Sequence, residues 1–376
     1  MGTLRLLLAI SVVFAHSATP FGFAMTNGPN SVQAFYIISG FLISLVLNER
    51  YTDLSVFYRS RLLRIFPSYW LWLALTIFTL SVLWNVGYDP TGAVAGIREI
   101  FPRLDPIGTA YVLASNLLLL GQEWQFVLTY DAGGQLHFTR FFWTEKNQIL
   151  PLFPVGPAWS LAVELCFYAV APFVVRHVWR IALVFALAMA LRWCAFRFGF
   201  GSDPYTYRFL PIELGTFMIG SFSFHVYRWL RSSMDFRPAV TIVAAVLLWS
   251  VAACFQWLPS GNTMLTIFTD REIILYGSMF TLLPFAFMFT AARPLDRLLG
   301  ELSFPLYLCH FIMIPITLVL FTFGASPLSR AAFGLTVLAF SLVCAALTYA
   351  YVDRPIDRIR HRISAYRPAA IKIRPA

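Results

Sequence analysis

Arg5 and His16 stand eleven residues apart in the first apolar stretch of the chain. Eleven helical residues make almost three turns, so the two side chains share a face, with the imidazole about 16 Å farther along the axis. An ionisable group that deep in an apolar helix is costly and marks a substrate path, a proton relay or a catalytic site. A second histidine, His310, lies within the apolar stretch that starts near Glu301, about 15 Å deep from the same side. Glu164, in Trp159-Ser160-Leu161-Ala162-Val163-Glu164, enters from the other side and reaches a comparable depth after about two turns. Three ionisable side chains on three helices are thus placed to meet. A neutral imidazole held by a carboxylate is what a general base for a hydroxyl nucleophile requires. A lone histidine of this kind is also often a hydrogen-bonded packing residue.

Arginines supply the second element. Arg61 and Arg64 are spaced i, i+3 and share a helical face. Guanidinium groups form bidentate bonds to phosphate oxygens and stay charged, so the pair suits a phosphate or diphosphate, with Arg5 or Arg59 beside it. The same spacing equally allows plain charge anchoring at a membrane surface. Arg208 and Glu213 flank Pro211 at the start of another span, either as a structural ion pair or as groups that bind an acceptor. Arg192, inside an apolar stretch, requires a partner, a carboxylate or a lipid headgroup. Tyr307 precedes His310 by three residues and faces the same way, as a substrate contact or as packing. Neither metal-ligand spacing nor a Gly-rich phosphate loop accompanies these residues, so no metal is expected, and the five cysteines sit in apolar segments as packing residues.

Composition defines the elements that must hold these groups. The chain has 376 residues, is 59% hydrophobic and only 12% charged, with a mean hydropathy of +0.70; the charged share is about half that of a soluble domain. An all-α, polytopic membrane protein is expected. Aromatic residues make up 17% of the chain, which suits lipid-facing surfaces and interfacial belts. The net charge of +10 is carried by arginines between apolar segments, which reads as topology and an anion site rather than nucleic-acid binding.

Apolar runs lie near residues 6–25, 31–48, 66–87, 157–175, 181–198, 208–227, 238–258, 272–291, 302–323 and 331–352, giving about ten transmembrane helices. Five arginine groups fall on one side if both termini are cytoplasmic: Arg59 to Arg64, Arg176 to Arg180, Arg228 to Arg237, Arg293 with Arg297, and the tail from Arg354. Residues 110–121 are short for a crossing and would invert that pattern. They are assigned to a re-entrant or interfacial helix within a non-cytoplasmic region, 88–156, whose polar and aromatic residues suit either a sugar or an ordinary surface. One membrane domain, residues 1–352, is expected, followed by a basic cytoplasmic tail, 353–376.

Taken together, several motifs resemble acyltransferase family 3, the integral membrane acyltransferases, over almost the whole chain. They are Arg5-x10-His16, Phe35-Tyr36-Ile37-Ile38-Ser39-Gly40-Phe41, Arg61-x-x-Arg64 before Ile65-Phe66-Pro67, Trp159-Ser160-Leu161-x-x-Glu164, Leu302-Ser303-x-x-Leu306-Tyr307-Leu308-x-His310, and Asp353-Arg354-Pro355. Asp353 stands where the family commonly has Glu, and Leu165-Cys166 replace its usual polar pair.

The resemblance implies transfer of an acyl group, usually acetyl from cytoplasmic acetyl-CoA, to a hydroxyl of a surface glycan, exopolysaccharide or lipid-linked glycan in a bacterial inner membrane. It implies that His16 is the central catalytic residue and that Arg61 and Arg64 serve the donor. Combined with the residue reading, the catalytic set is His16, Glu164 and His310. The donor set is Arg5, Arg59, Arg61, Arg64, Ser39 and Gly40, although Gly40 equally permits a close helix approach. The acceptor set is Trp159, Arg208, Glu213 and Tyr307. Buried histidines and a glutamate would also serve a proton-coupled transporter or flippase, although no inverted repeat is evident. Within the enzyme class, a lipid or a small secondary metabolite is the other acceptor.

Overall fold

Helices lie over each apolar run in a computed structural model of the chain, which describes residues 1–22, 25–89, 92–234, 236–261, 267–321, 324 and 326–363. In order they are α1 (Gly2–His16), α2 (Gly28–Glu49), α3 (Leu54–Asn85), α4 (Ala93–Ile100), α5 (Pro106–Leu118), a hairpin of β1 (Leu128–Tyr130) and β2 (Leu136–Phe138), then α6 (Trp159–Val174), α7 (Val178–Arg197), α8 (Leu210–Ser233), α9 (Pro238–Ala253), α10 (Asp270–Thr290), α11 (Pro294–Leu320), α12 (Pro327–Thr348) and α13 (Arg354–Ile363). A π-helical turn, Tyr349–Asp353, joins the last two.

Short polar residues start several of these helices, because the first backbone N–H groups of a helix have no partner within it. The Asn27 side chain accepts from Asn30 N, Asp53 from Ser55 N and Asp105 from Gly108 N, and Thr269 forms a reciprocal capping box with Glu272. Among the described residues seven helices are long and apolar enough to cross a membrane, and α1 and α9 are shorter apolar helices. The chain is a multi-pass membrane protein. α8 is long enough to cross but carries Glu213, His225, Arg228 and Arg231, and it is not among the seven.

One feature differs from the sequence reading and two add detail to it. The first apolar run ends early: α1 stops at His16, and a 3-10 turn, Pro20–Gly22, follows. Proline and glycine explain the stop, since neither sustains a helix. Residues 110–121 fall mostly on α5, whose end is held by α3, where Tyr69 Oη and Trp70 Nε1 donate to the carbonyls of Asn116 and Leu117. The surrounding region has its own apolar cluster of Leu104, Val112, Leu128, Tyr130, Ile149, Leu152 and Phe153. The basic tail begins as α13, packed on α3, and residues 364–376 lie outside the described residues.

Two parallel helix pairs make the frame. α1 lies along α11 and α2 along α8, each through glycines that let backbones touch. A methyl carbon on Gly40 would stand 2.0 Å from Phe217 O, and one on Gly220 would stand 1.8 Å from Ile37 O. Gly220→Ala is therefore expected to force α2 and α8 apart and to destabilise the bundle by about 1–3 kcal/mol. Gly277→Ala, where nothing lies within 4 Å, is expected to be neutral or to add up to about 1 kcal/mol. Thermal unfolding of the purified variants in detergent checks the pair, and equal melting points would refute the close approach.

Candidate active site

α1, α3 and α11 all begin at one end of the bundle, and the first turns of these helices bring Arg5, Arg61, Arg64 and Glu301 together. The three arginines form the mouth of an open cavity, about 770 Å³ when the solvent space at its opening is included, lined along its length by residues of α1, α2, α3, α6 and α11. The arginines are not equivalent. Arg64 is tied to Glu301 at 2.5 Å and to Asp357 of α13 at 3.7 Å. Arg61 Nε is buried without a hydrogen-bond partner, and its guanidinium carbon lies 5.9 Å from the Phe57 ring centroid. Arg5 also lines the cavity and forms no ion pair among the described residues. Two unneutralised guanidiniums therefore face the cavity, while the third fastens α3 to α11 and α13. Arg59 points away and is exposed.

Deeper in, the Glu164 carboxylate accepts hydrogen bonds from Ser39 Oγ and Tyr168 Oη, both at 2.6 Å. Glu164 thus lines the cavity wall and does not reach either histidine. The meeting of three ionisable groups expected from helical depth is not made, because α6 presents Glu164 towards α2 rather than α11. Gly40, next to Ser39, is absent from the cavity lining and sits at the α2–α8 crossing.

The far end of the cavity is closed by Ser160 and Tyr307. Their hydroxyls are 2.7 Å apart, and both also reach the carbonyl of Pro157. Beyond the Tyr307 ring, at 6.0 Å between centroids, lies His310.

His310 and His16 form a stacked, hydrogen-bonded pair, with 2.9 Å from His16 Nδ1 to His310 Nε2 and 5.1 Å between rings. Proton positions follow by elimination. His310 Nδ1 lies 2.8 Å from the carbonyl of Tyr307, and a carbonyl only accepts, so Nδ1 carries the proton. In the neutral ring Nε2 of His310 is then an acceptor, and His16 Nδ1 must donate to it. His16 Nε2 is left with a lone pair and has no partner among the described residues. His310 is fully buried, whereas His16, the last residue of α1, is exposed at the end of the bundle opposite the arginine mouth. The arrangement is that of a base oriented by a second group.

The remaining candidates lie around this end. Arg208 does not pair with Glu213. Its Nε bonds Asp203 at 2.7 Å, and its guanidinium stacks on Phe126, Trp159 and Tyr207, with ring centroids at 3.8, 4.4 and 4.4 Å. Glu213 is fully buried and faces Arg192 at 3.7 Å, which answers the need of Arg192 for a partner. Sequence reasoning missed Glu301, Asp357 and Ser160. Nothing in their local sequence pairs them with α3 or α11, and only the packing brings them there. Among the described residues no cluster of His, Cys, Asp or Glu gathers as a metal site, and the five cysteines are free thiols.

A family profile described as "Acyltransferase domain" matches residues 2–350. The chain belongs to this acyltransferase family 3. It is 26% identical to Nodulation protein 10 of Rhizobium leguminosarum bv. viciae, over 97% of this chain and 94% of that protein. It is 21% identical to O-acetyltransferase OatA of Staphylococcus aureus over 97% of this chain and 58% of that protein, so it spans a little over half of the relative's length. Over 47% of this chain and 44% of the relative, it is 28% identical to Exopolysaccharide production protein ExoZ of Rhizobium meliloti. No solved structure matches.

The unequal arginines can be separated by stability alone. Arg64→Ala leaves Glu301 without its close partner and is expected to cost about 1–3 kcal/mol, less than a fully buried pair because both side chains keep some solvent contact. Arg61→Ala removes an unpaired cation and is expected to leave stability unchanged or raised. Chemical denaturation of the two variants in detergent checks this, and a larger loss for Arg61→Ala would reverse the assignment.

Proposed function

We propose that the protein is an integral membrane O-acyltransferase that moves an acetyl group from acetyl-CoA to a hydroxyl of an exopolysaccharide, another surface glycan or a lipid-linked glycan. The single observation that carries this reading is the cavity between two unneutralised arginines and the wall behind which the histidine pair lies. Its length, about 16 Å along α2 from Val32 to Ile43, suits a thin arm whose phosphates remain at the mouth. The relatives named for O-acetyl transfer and exopolysaccharide production support the reaction and the acceptor class.

In this reading both termini are cytoplasmic, ten helices cross a bacterial inner membrane, and α5 is a re-entrant or interfacial helix outside that count. The membrane unit is residues 1–352, and the basic segment 353–376 follows on the cytoplasmic face. Arg5 and Arg61 bind the donor phosphates, with Arg64 joining as its carboxylate partners permit, and Ser39 and Glu164 line the path of the arm. The acceptor arrives at the exposed His16 end, beside Trp159 and Arg208.

The chemistry follows from the proton positions. His16 Nε2 takes the proton of the acceptor hydroxyl while that oxygen attacks the thioester carbonyl. The carbon–sulfur bond breaks, and the proton passes from His16 to the departing thiolate. His310 holds His16 in the reactive tautomer, the role that the depth argument had given to Glu164.

Removing the base is expected to cost about 10²–10⁴-fold in rate. His16→Ala should therefore bind acetyl-CoA and barely turn it over, while His310→Gln, whose amide oxygen can still accept from Nδ1, should retain more activity than His310→Ala. Arg5→Ala/Arg61→Ala should lose donor affinity. Radiolabelled acetyl-CoA consumption in nanodiscs, with a crude glycan-lipid extract present, measures all of these. A wild type that neither binds the donor nor transfers label, and is matched by His16→Ala, would defeat the proposal and turn attention to transport.

A further inference from the structure

The donor cavity and the histidine pair do not communicate in this conformation. The geometry points to Tyr307 as a movable partition between them, bolted by its hydrogen bond to Ser160. This inference rests on the acyltransferase reading for its purpose, and on packing alone for its existence.

Both bolt residues line the cavity end, and both are nearly inaccessible. The Tyr307 ring stands between residues of the two sites: it lies 6.0 Å between centroids from Phe35, which lines the cavity, and 6.0 Å from His310, which does not. The bolt itself is the hydroxyl–hydroxyl contact of 2.7 Å, with a longer contact of 3.3 Å from Tyr307 Oη to the carbonyl of Pro157, in the turn that leads into α6. Contacts of that kind are worth little net free energy, so the partition can stay closed over a bound donor and open when an acceptor arrives.

The helix that carries Tyr307 is weakened nearby. α11 contains Pro305 and Pro315, with Tyr307 and His310 between them. A proline lacks the N–H that would bond four residues back, so the helical ladder is interrupted on both sides of this segment. The carbonyl that fixes the His310 tautomer belongs to Tyr307 itself. Movement of the partition is thereby coupled to the proton arrangement of the pair behind it.

A closed partition keeps water at the His16 end away from a bound thioester. Water entering there would add its oxygen to the acyl carbon as the carbon–sulfur bond breaks, giving the free carboxylic acid and the CoA thiol. The partition therefore favours transfer over hydrolysis.

Tyr307→Phe and Ser160→Ala each remove the bolt and leave the fold's volumes almost intact. Each is expected to raise acceptor-free hydrolysis of radiolabelled acetyl-CoA roughly 3–10-fold, with donor binding retained, because the loss of one such bond shifts the closed-to-open balance by that factor. The double variant should add little to Tyr307→Phe, which already loses every contact of the Tyr307 hydroxyl. A merely structural role would lower binding and hydrolysis together, and that result, unchanged hydrolysis, or multiplying effects would overturn the partition. A second readout needs no donor. In proteoliposomes Tyr307→Ala should collapse an imposed pH gradient faster than wild type, because the arginine-end cavity then meets the histidine pair. An unaltered leak would overturn the partition even if the donor reading stands, and a faster leak in a protein that binds no acetyl-CoA would uphold the partition while the donor reading falls.

Discussion

The register of α1 against α11 is the constraint on which the site depends. Asp296, in the first turn of α11, accepts from Gly2 N at 2.7 Å and Thr3 N at 2.8 Å, and so caps α1 from outside it. Just beyond, a methyl carbon on Gly300 would stand 2.9 Å from the Gly2 Cα, so the two backbones touch there. At the other end, Gly334 of α12 admits the Ala18 carbonyl as closely. With both ends held, His16 arrives level with His310. A slip of one residue would move it about 1.5 Å and rotate it by about 100°, enough to break a 2.9 Å bond. The histidine pair is thus a product of glycine contacts at both ends of α1, one of them at the end remote from it.

The second parallel pair, α2 with α8, carries a different load. Its upper half is a buried polar network centred on Gln33, whose amide donates to Glu213 at 3.0 Å and whose oxygen accepts from Tyr276 at 2.5 Å. Asn30 donates to Glu272 and Tyr276, while Arg192 serves Thr206 O and Ile267 O and faces Glu213. Satisfied networks of this kind specify one arrangement of helices rather than adding much stability. Here it fixes the start of α8, and with it the turn that lays Arg208 over Trp159 beside the histidine end.

Much of this was legible in the sequence. Long apolar runs identify helices because nothing else satisfies backbone groups in hydrocarbon, and a helix lies over each run, although the first ends at His16. Arg5, His16 and His310 were legible as polar groups on predictable faces, but the depth expected of His16 is not met, because α1 ends there and leaves it exposed. Depth could not supply azimuth, so Glu164 was placed with the histidines when it faces Ser39 and Tyr168. Partners were the least legible. Arg208 was set against Glu213 by proximity in sequence, but Asp203 is nearer in space, and Glu213 belongs to Arg192 across the helix pair. The segment 88–156 was opaque because its small hairpin and 3-10 turns carry no periodicity.

The distribution of charge at the cavity mouth gives the site its direction. An unpaired guanidinium held among protein atoms is unfavourable, and an anion that arrives to pair with it recovers that cost. Arg5 and Arg61 are left unpaired, whereas Arg64, one turn from Arg61, is neutralised by Glu301 and Asp357. The protein could have supplied three such carboxylates and did not. Under the proposed reaction the anionic donor is drawn to the arginine end, and the opposite end, where Asp203 neutralises Arg208 and His16 keeps a lone pair without a partner among the described residues, receives the neutral hydroxyl. In the proposed reaction Tyr307 separates these two demands, so that the charged donor and the hydroxyl that gives up its proton each meet the environment that suits them, within the length of one short helix.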